Sequence, residues 1–268
     1  MKRVLSIQDL SCLGKCSLTV ALPVLSAMGC SCTVLPTAVL STHTAFPNPH
    51  IRDLTQDLWP VAEHWRSIGA KFDAITVGYL SDPQQAEVVG RVLDTFPAQV
   101  ILDPAMGDHG KLYTGMTAEH VQAMASLCRK AQILLPNVTE AALLTGIPYR
   151  ENADPAYLQE LAQGLLTFGG ETVIITGFTQ PDGQTGFFGM HKSGKTFLYQ
   201  ADRIGKHFHG TGDLFAATFT GALMAGKAAA DAAVLAARFT ERVITATEES
   251  TPFGIAFEPE LPWLAEQL

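Results

Sequence analysis

Repeatedly along this chain a short apolar run ends abruptly in polar residues, and a stretch with helical spacing follows. Val4–Ile7 stops at Gln8-Asp9, passes through a polar loop containing Gly14, and gives way to a helical pattern over Ser17–Met28. Ser31–Leu40 is β-branched and apolar, and leads into the hydroxyl-rich, proline-ended loop Ser41–Pro49. Ile51–Ser67 recovers helical spacing, Ala74–Val77 ends in Gly78-Tyr79, and Pro83 stands where it opens a helix well. Val100–Leu102 delivers Asp103, Ile133–Leu135 delivers Pro136-Asn137 with Glu140 one turn into a helix, and Thr172–Ile175 delivers Thr176-Gly177. Runs this apolar suit strands buried on both faces, so the alternation predicts an α/β fold with three layers: a mainly parallel central sheet and helices on either side. In such sheets ligands bind beyond the carboxyl ends of the strands, where these polar residues fall.

The rhythm breaks once. Gly183–Tyr199 reads as an antiparallel hairpin at the sheet edge, with Phe187-Phe188 and Phe197-Leu198-Tyr199 flanking a Ser193-Gly194 turn. Within it, Gly189–Thr196 matches the phosphate-loop pattern G-x4-G-K-[ST] letter for letter. That pattern works only where a strand enters and a helix leaves, so that helix amides face the phosphates; here the exit is strand-like, and the match is set aside. Helices follow to about Ala225 and over Ala229–Glu248, and the tail from Glu258 to Leu268 reads as a short closing helix. No repeat or linker divides residues 1–268, which read as a single domain.

The most chemically loaded stretch is His209-Gly210-Thr211-Gly212-Asp213, running into the apolar helix that opens Leu214-Phe215-Ala216-Ala217. Glycines around a threonine let the backbone turn sharply and present successive N–H groups at a helix start, where an anion is favoured. Asp213 in the first turn stays ionised in that field and is placed to accept a proton from a hydroxyl. Taken alone, the motif is more often a glycine turn whose Thr211 or Asp213 caps the helix.

A net charge of −8 argues against a nucleic-acid or anionic-membrane partner, so any anionic ligand must be held by local features such as helix ends or a metal. The odd count of 5 cysteines, in apolar surroundings, reads as reduced thiols, and Cys12-x3-Cys16 with Cys30-x-Cys32 lacks zinc-knuckle spacing. Gln8-Asp9 interrupts the first apolar run, so no secretion signal is read, and no apolar stretch is long enough to span a bilayer. A cytoplasmic protein is expected.

Taken together, Gly210-Thr211-Gly212-Asp213, Asp103-Pro104-x-Met106-Gly107-Asp108 and Pro136-Asn137-x-x-Glu140-Ala141 resemble the ribokinase superfamily, and within it the pyridoxal/pyridoxamine kinase branch. Val4–Gln8 is similar to that branch's first strand, Ser41-Thr42-His43-Thr44-Ala45-Phe46 to its S-N-H-T-G-Y loop, and Gly78-Tyr79-Leu80 to its G-Y-L turn. The resemblance spans nearly the whole chain. It implies a ribokinase-like fold and transfer of the γ-phosphoryl group of ATP, with Mg²⁺, to the 5'-hydroxymethyl group of a vitamin B6 vitamer; a monovalent cation is left open. Asp213 would be the base and Gly210, Thr211 and Gly212 the anion hole. Glu140 and Asn137 would order Mg²⁺ and its waters, with Asp103 and Asp108 as further acids around it. Thr176 and the segment from Arg203 to His209, Lys206 included, would lie along the nucleotide. Asp9, His43, Thr44, Tyr79 and Tyr113 would surround the pyridine, and Lys111 would gather phosphate charge as the Gly107–Gly115 loop closes. Each also has a plain structural reading: helix or strand-end capping for Asn137 and Asp108, rim aromatics for Tyr79 and Tyr113, a loop hydrogen-bonder for His43. A homodimer is implied by the resemblance alone.

The chain departs from the family pattern at several positions. Asp9 stands where many pyridoxal kinases have serine, Thr42 replaces the loop's asparagine and Phe46 its tyrosine. An acid at Asp9 suits a hydrogen bond from a ring N–H or phenol, or an amine-bearing substrate. The rival within enzymes is a hydroxymethylpyrimidine kinase, whose G-S-D-x-S-G-G-A-G-like first loop shares only the aspartate and a serine with Gln8–Gly14. A silent B6-binding protein on the same fold would lack the base or the anion hole, and both are present. A nicotinamide dehydrogenase would need G-x-G-x-x-G after the first strand, which is missing.

Overall fold

Consecutive residues of the central strands feed opposite cores, which is why those strands read as unbroken apolar runs. In the computed structural model, which describes residues 1–180 and 182–268, Val100 and Leu102 point to one hydrophobic cluster and Ile101 to the other. Val173, Ile174 and Ile175 alternate in the same way.

In chain order the elements are β1 (Arg3–Leu13), α1 (Leu18–Ala27), β2 (Ser31–Thr42), β3 (Ile51–Asp53), α2 (Thr55–Ser67), β4 (Ala74–Val77), α3 (Gln85–Thr95) and β5 (Gln99–Leu102). A small hairpin of β6 (Gly107–Asp108) and β7 (Lys111–Leu112) follows, then α4 (Ala118–Cys128), β8 (Ile133–Leu134), α5 (Val138–Thr145) and α6 (Pro155–Leu166). The chain ends with β9 (Thr172–Thr179), β10 (Gln184–His191), β11 (Thr196–Asp202), α7 (Thr211–Met224), α8 (Ala229–Ala246) and α9 (Leu261–Ala265).

The main sheet has nine strands in the order β11-β10-β9-β8-β5-β4-β1-β2-β3. Its central pairings, from β9 through β8, β5, β4 and β1 to β2, are all parallel. Antiparallel strands finish both edges: β10 and β11 at one, β3 at the other. Helices α2 to α6 cover one face and α1, α7, α8 and α9 the other, giving the expected three layers. The edge hairpin is where the sequence placed it. Met190 pairs with Thr196 across its turn, so the run that imitates a phosphate loop joins two strands and presents no helix start.

Two boundaries differ from the sequence reading. β1 does not stop at Gln8 but continues to Leu13, because β2 keeps pairing with it past an irregularity between Gln8 and Leu10. Gln8, Asp9 and Ser11 are therefore buried strand residues, not loop. Ile51–Asp53 is a strand paired with Ala38–Leu40, and the helix begins only at Thr55, whose N–H donates to Asp53 Oδ1 at 2.9 Å. Similarly, Pro83 lies in a turn and α3 starts at Gln85.

Candidate active site

The chain leaves β1 to build β2 on one side and returns to place β4 on the other, so the order of strands reverses beside β1. A crevice opens at such a reversal beyond the strand ends, and the polar residues of β1, β4, β5, β8 and β9 converge there.

On one side stands the start of α7. Gly210 caps it in the left-handed conformation (φ 87°), and a Cβ there would lie 2.0 Å from the Lys15 carbonyl oxygen, so only glycine lets the β1–α1 turn pack this closely. The first-turn amides of Thr211, Gly212 and Asp213 have no partner within the helix and so present donors at an end where the helix dipole favours an anion. A Cβ on Gly212 would sit 3.8 Å from Asp103 Oδ2, which brings the acid at the end of β5 up against this cradle.

Asp213 keeps a partly exposed edge while its carboxyl is enclosed by protein. Burial pushes its pKa up to about 6, against the Ser17 backbone amide, which lowers it; the nearby Asp9 charge adds to the rise. Asp103 is pushed to about 8 by burial and by Asp213. Glu140 is raised by burial and by Asp103, and held down in part by the amides of Asn137 and Met106.

Those amides belong to the most ordered part of the site. Asn137 caps α5: its Oδ1 accepts from the Glu140 N–H at 2.9 Å, while Glu140 Oε2 accepts from the Asn137 N–H at 2.8 Å. Glu140 Oε1 accepts from the Met106 N–H at 3.1 Å, and Asn137 Nδ2 donates to the Gly107 carbonyl at 2.8 Å. Asn137 thus has the capping role that its plain structural reading gave it, and the start of α5 pins the base of the β6–β7 loop. Thr176 joins through its N–H, which donates to the Pro136 carbonyl at 2.9 Å. Asp108 is exposed on the loop, its Oδ1 accepting from the His109 N–H at 2.7 Å, and Lys111 is exposed beside it.

On the other side of the crevice, Asp9 is buried and accepts from Ser11 Oγ at 3.0 Å. The Tyr79 hydroxyl is raised to about 12 by burial and by Asp9. The Tyr113 hydroxyl is raised by burial and by Glu140, Asp108, Asp103 and Asp213, which sets it among the acids although its ring edge is exposed. His43 is buried with both ring nitrogens lacking a partner among the described residues. Its ring packs at a tilt against His209 (centroids 4.5 Å apart) and Phe46 (4.8 Å), and Phe46 stacks on Phe253 at 5.8 Å. This aromatic bridge ties the loop after β2 to the residue preceding Gly210. Thr44 lies in the turn just beyond His43. Lys206 is turned away: its ammonium donates to the carbonyls of Thr245 (3.2 Å) and Thr247 (2.9 Å) at the end of α8, a favourable place for a cation.

The sequence also carries the match that decides the family. The model of the phosphomethylpyrimidine kinases fits residues 21–258. The chain belongs to that family. Within it the chain falls in the ribokinase-like pyridoxal kinase branch: a pyridoxine/pyridoxal/pyridoxamine kinase of Bordetella avium is 32% identical over 264 residues, covering 91% of this chain and 85% of the relative. A candidate phosphomethylpyrimidine kinase of Bacteroides thetaiotaomicron, solved with pyridoxal, superposes with a TM-score of 0.94 at 34% identity, covering 98% of this chain and 95% of that one. A hydroxymethylpyrimidine/phosphomethylpyrimidine kinase of Bacillus subtilis is 29% identical over 232 residues, covering 83% of this chain and 80% of the relative. This family member is therefore a kinase.

Reading the sequence alone left out several residues that shape the crevice of this kinase. Ser17, with φ 51° and ψ −128°, aims its amide at Asp213, and its side chain and that of Ser11 hold Asp9. Gln8 donates to Ser6 Oγ at 3.0 Å and lines, with Thr76, Asp103 and Asp213, a small cavity. Thr139 Oγ1 accepts from the Gly110 N–H at 2.9 Å and anchors the loop tip. Only Gln8 left a signal, as a polar residue closing an apolar run. No helix is long and apolar enough to cross a membrane among the described residues.

Proposed function

We propose that this kinase transfers the γ-phosphoryl group of MgATP to the 5'-hydroxymethyl group of a vitamin B6 vitamer and acts as a homodimer. The observation that carries the reading is the placement of Asp213. It is an enclosed acid with no basic partner among the described residues, set beside the free amides of α7 and facing Asp9 across the crevice. Support for a pyridine acceptor comes from the Bordetella relative and the pyridoxal-bound Bacteroides structure.

In this mechanism the acceptor ring lies between Asp9, His43, Thr44, Tyr79 and Tyr113. Its hydroxymethyl oxygen attacks the γ-phosphorus as the bond to the ADP oxygen breaks, and Asp213 takes the hydroxyl proton. The Gly210–Gly212 amides, with Thr211, grip the charge on the transferring group where water is excluded. Asp103 and Glu140 fit a hard cation: two enclosed carboxylates, the charge of Asp103 raising the pKa of Glu140, with oxygen donors only and no basic side chain to neutralise them. No three His, Cys, Asp or Glu side chains converge as a full metal cage among the described residues, so an ion held by this pair would have to keep most of its waters. When bound there, Mg²⁺ supplies charge neutralisation on the β- and γ-phosphates. Asn137 and Asp108 flank those phosphates, and Thr176 with the 203–209 segment lines the nucleotide. Lys206 fastens that segment to α8.

The test is a coupled ADP-release assay with MgATP against pyridoxal, pyridoxamine, pyridoxine and hydroxymethylpyrimidine, with Asp213→Asn as control. Turnover of a B6 vitamer that Asp213→Asn abolishes is expected. Turnover of hydroxymethylpyrimidine alone would replace this reading with the second one, which the family model and the Bacillus relative favour. Light scattering is expected to give roughly twice the 28.7 kDa chain mass.

A further inference from the structure

The turn between β4 and α3 meets the crevice at Gly78. A Cβ there would lie 2.4 Å from Gln8 Oε1, and Gln8 lines a cavity together with Asp103 and Asp213, so the backbone at Gly78 rests directly on the polar part of β1. Tyr79 comes next in the chain. Yet the backbone of Tyr79, Leu80 and Ser81 makes no hydrogen bond to another backbone group among the described residues. A segment without backbone partners takes its shape from the side chains that reach it.

Those side chains come from behind the crevice. Gln85, the first residue of α3, is completely buried, which is unusual for a glutamine unless its polar atoms are all paired. Its Oε1 accepts from the Ser81 N–H at 3.0 Å, and because a backbone amide only donates, this fixes which way the side-chain amide faces. Nε2 then donates to the Thr37 carbonyl at 2.8 Å and to Asp53 Oδ2 at 2.7 Å, joining the turn to β2 and to the edge strand β3. Thr37 and Asp53 hold the turn in their own right: Thr37 Oγ1 donates to the Tyr79 carbonyl at 3.2 Å, and Asp53 Oδ2 accepts from Ser81 Oγ at 3.0 Å. Thr37, Asp53 and Ser81 all bond to Gln85, which makes it the hub of the group.

We infer that Gln85 is a positioning residue of this kinase: from behind the crevice it holds the turn from Gly78 to Ser81 in the form that presents Tyr79, and so sets affinity for the acceptor alcohol without touching it. This rests on the reading above in which Tyr79 borders the acceptor, and it is independent of which ring the acceptor carries. A glutamine that only supported the fold would act on the whole molecule. One that holds this turn acts on acceptor binding and leaves the phosphate side, built on α5 and α7, as it is.

The experiment measures kcat and the KM values for acceptor and MgATP by ADP release, with whichever alcohol of the panel the wild type phosphorylates. Gln85→Met keeps the length of the side chain and removes its hydrogen bonds, and Thr37→Val removes only the bond to the Tyr79 carbonyl. The control for general destabilisation is Asp154→Ala. It removes the cap of α6, where Asp154 Oδ1 accepts from the Tyr157 N–H at 2.8 Å, on a helix packed over β9 and β10. Both turn variants are expected to raise the acceptor KM about tenfold, the size of one to two buried hydrogen bonds. Their kcat and MgATP KM should stay within about twofold of wild type, and amide exchange over residues 78–82 should quicken. Asp154→Ala should lower Tm and leave both KM values unchanged. Equal rises in both KM values, no rise in the acceptor KM, or the same selective rise in Asp154→Ala would overturn the inference. If Gln85→Met does not fold, Thr37→Val decides alone: an unchanged acceptor KM there means that the turn needs no hold, and overturns it. Turnover of hydroxymethylpyrimidine alone would sink the B6 reading, and the split between the two KM values would still decide this one.

Discussion

Replacing the proposed base, Asp213, by its neutral isostere should cost this enzyme its activity and make it more stable. In Asp213→Asn the proton acceptor is gone, and removal of a general base of this kind lowers kcat by roughly 10²- to 10⁴-fold. The stability change follows from linkage. The Asp213 pKa moves from its ordinary 3.8 to about 6 in the folded chain, so the folded state binds the proton more tightly than the unfolded one. The sign is therefore the reverse of a salt-bridged aspartate: the ionised form is a burden on the fold at any pH above about 6, and the burden lifts as pH falls from about 6 towards 3.8. At about 1.36 kcal/mol per tenfold it amounts to ~3 kcal/mol, an upper figure because Asp213 retains some exposure. With an unfolding entropy of about 2.1 cal/mol/K per residue and 268 residues, that corresponds to a rise in Tm of roughly 5 °C at pH 8, shrinking to nothing near pH 4. Calorimetric melts of both proteins across this range check it. A variant no more stable than wild type at pH 8, or a gain that ignores pH, refutes the reasoning. The same ionisation sets the acid limb of wild-type kcat/KM, which should fall about tenfold per pH unit below about 6.

The two glycines at the start of α7 should separate folding from catalysis. Gly210→Ala drives a Cβ onto the Lys15 carbonyl at a left-handed φ, so a loss of several kcal/mol or insoluble protein is expected, whereas Gly212→Ala meets only Asp103 Oδ2 at 3.8 Å and should melt near wild type while turnover falls. Asn137→Ala removes the cap of α5 and the tie to Gly107, costing about 1 kcal/mol in a melt, and faster amide exchange over residues 106–113 should accompany it. Lys195→Ala, on the outer hairpin, should change ATP affinity by less than about twofold by calorimetry, as expected where no helix start frames the lysine.

Much of this architecture could be read from residue order because the central strands are buried on both sides. Ile101 and Leu102 must both be apolar when they serve different cores, so strand ends stand out wherever Asp103, Asn137 or Thr176 interrupts. The continuation of β1 was hidden for the converse reason: Gln8, Asp9 and Ser11 are polar because they line the crevice, and polarity in a short run reads as loop. β3 was absorbed into a helical pattern because its three residues carry too little periodicity of their own, and only pairing with Ala38–Leu40 defines it. The acids of the crevice were visible as motifs, but their setting was not. The Ser17 amide, the packing of His43 against His209 and the turning of Lys206 onto α8 join segments far apart in sequence, and no local spacing encodes them.

The reversal of strand order beside β1 divides the labour of the crevice between two lengths of chain. Apart from Tyr113, the groups proposed to surround the acceptor ring hang from β1, the loop after β2 and the turn after β4, all within the first 80 residues. Those proposed to handle the phosphates hang from β5, β8, β9 and α7. The early part can thus be rewritten for a new ring while the later part goes on moving phosphate unaltered, an economy suited to a lineage whose members answer to both pyridine and pyrimidine names.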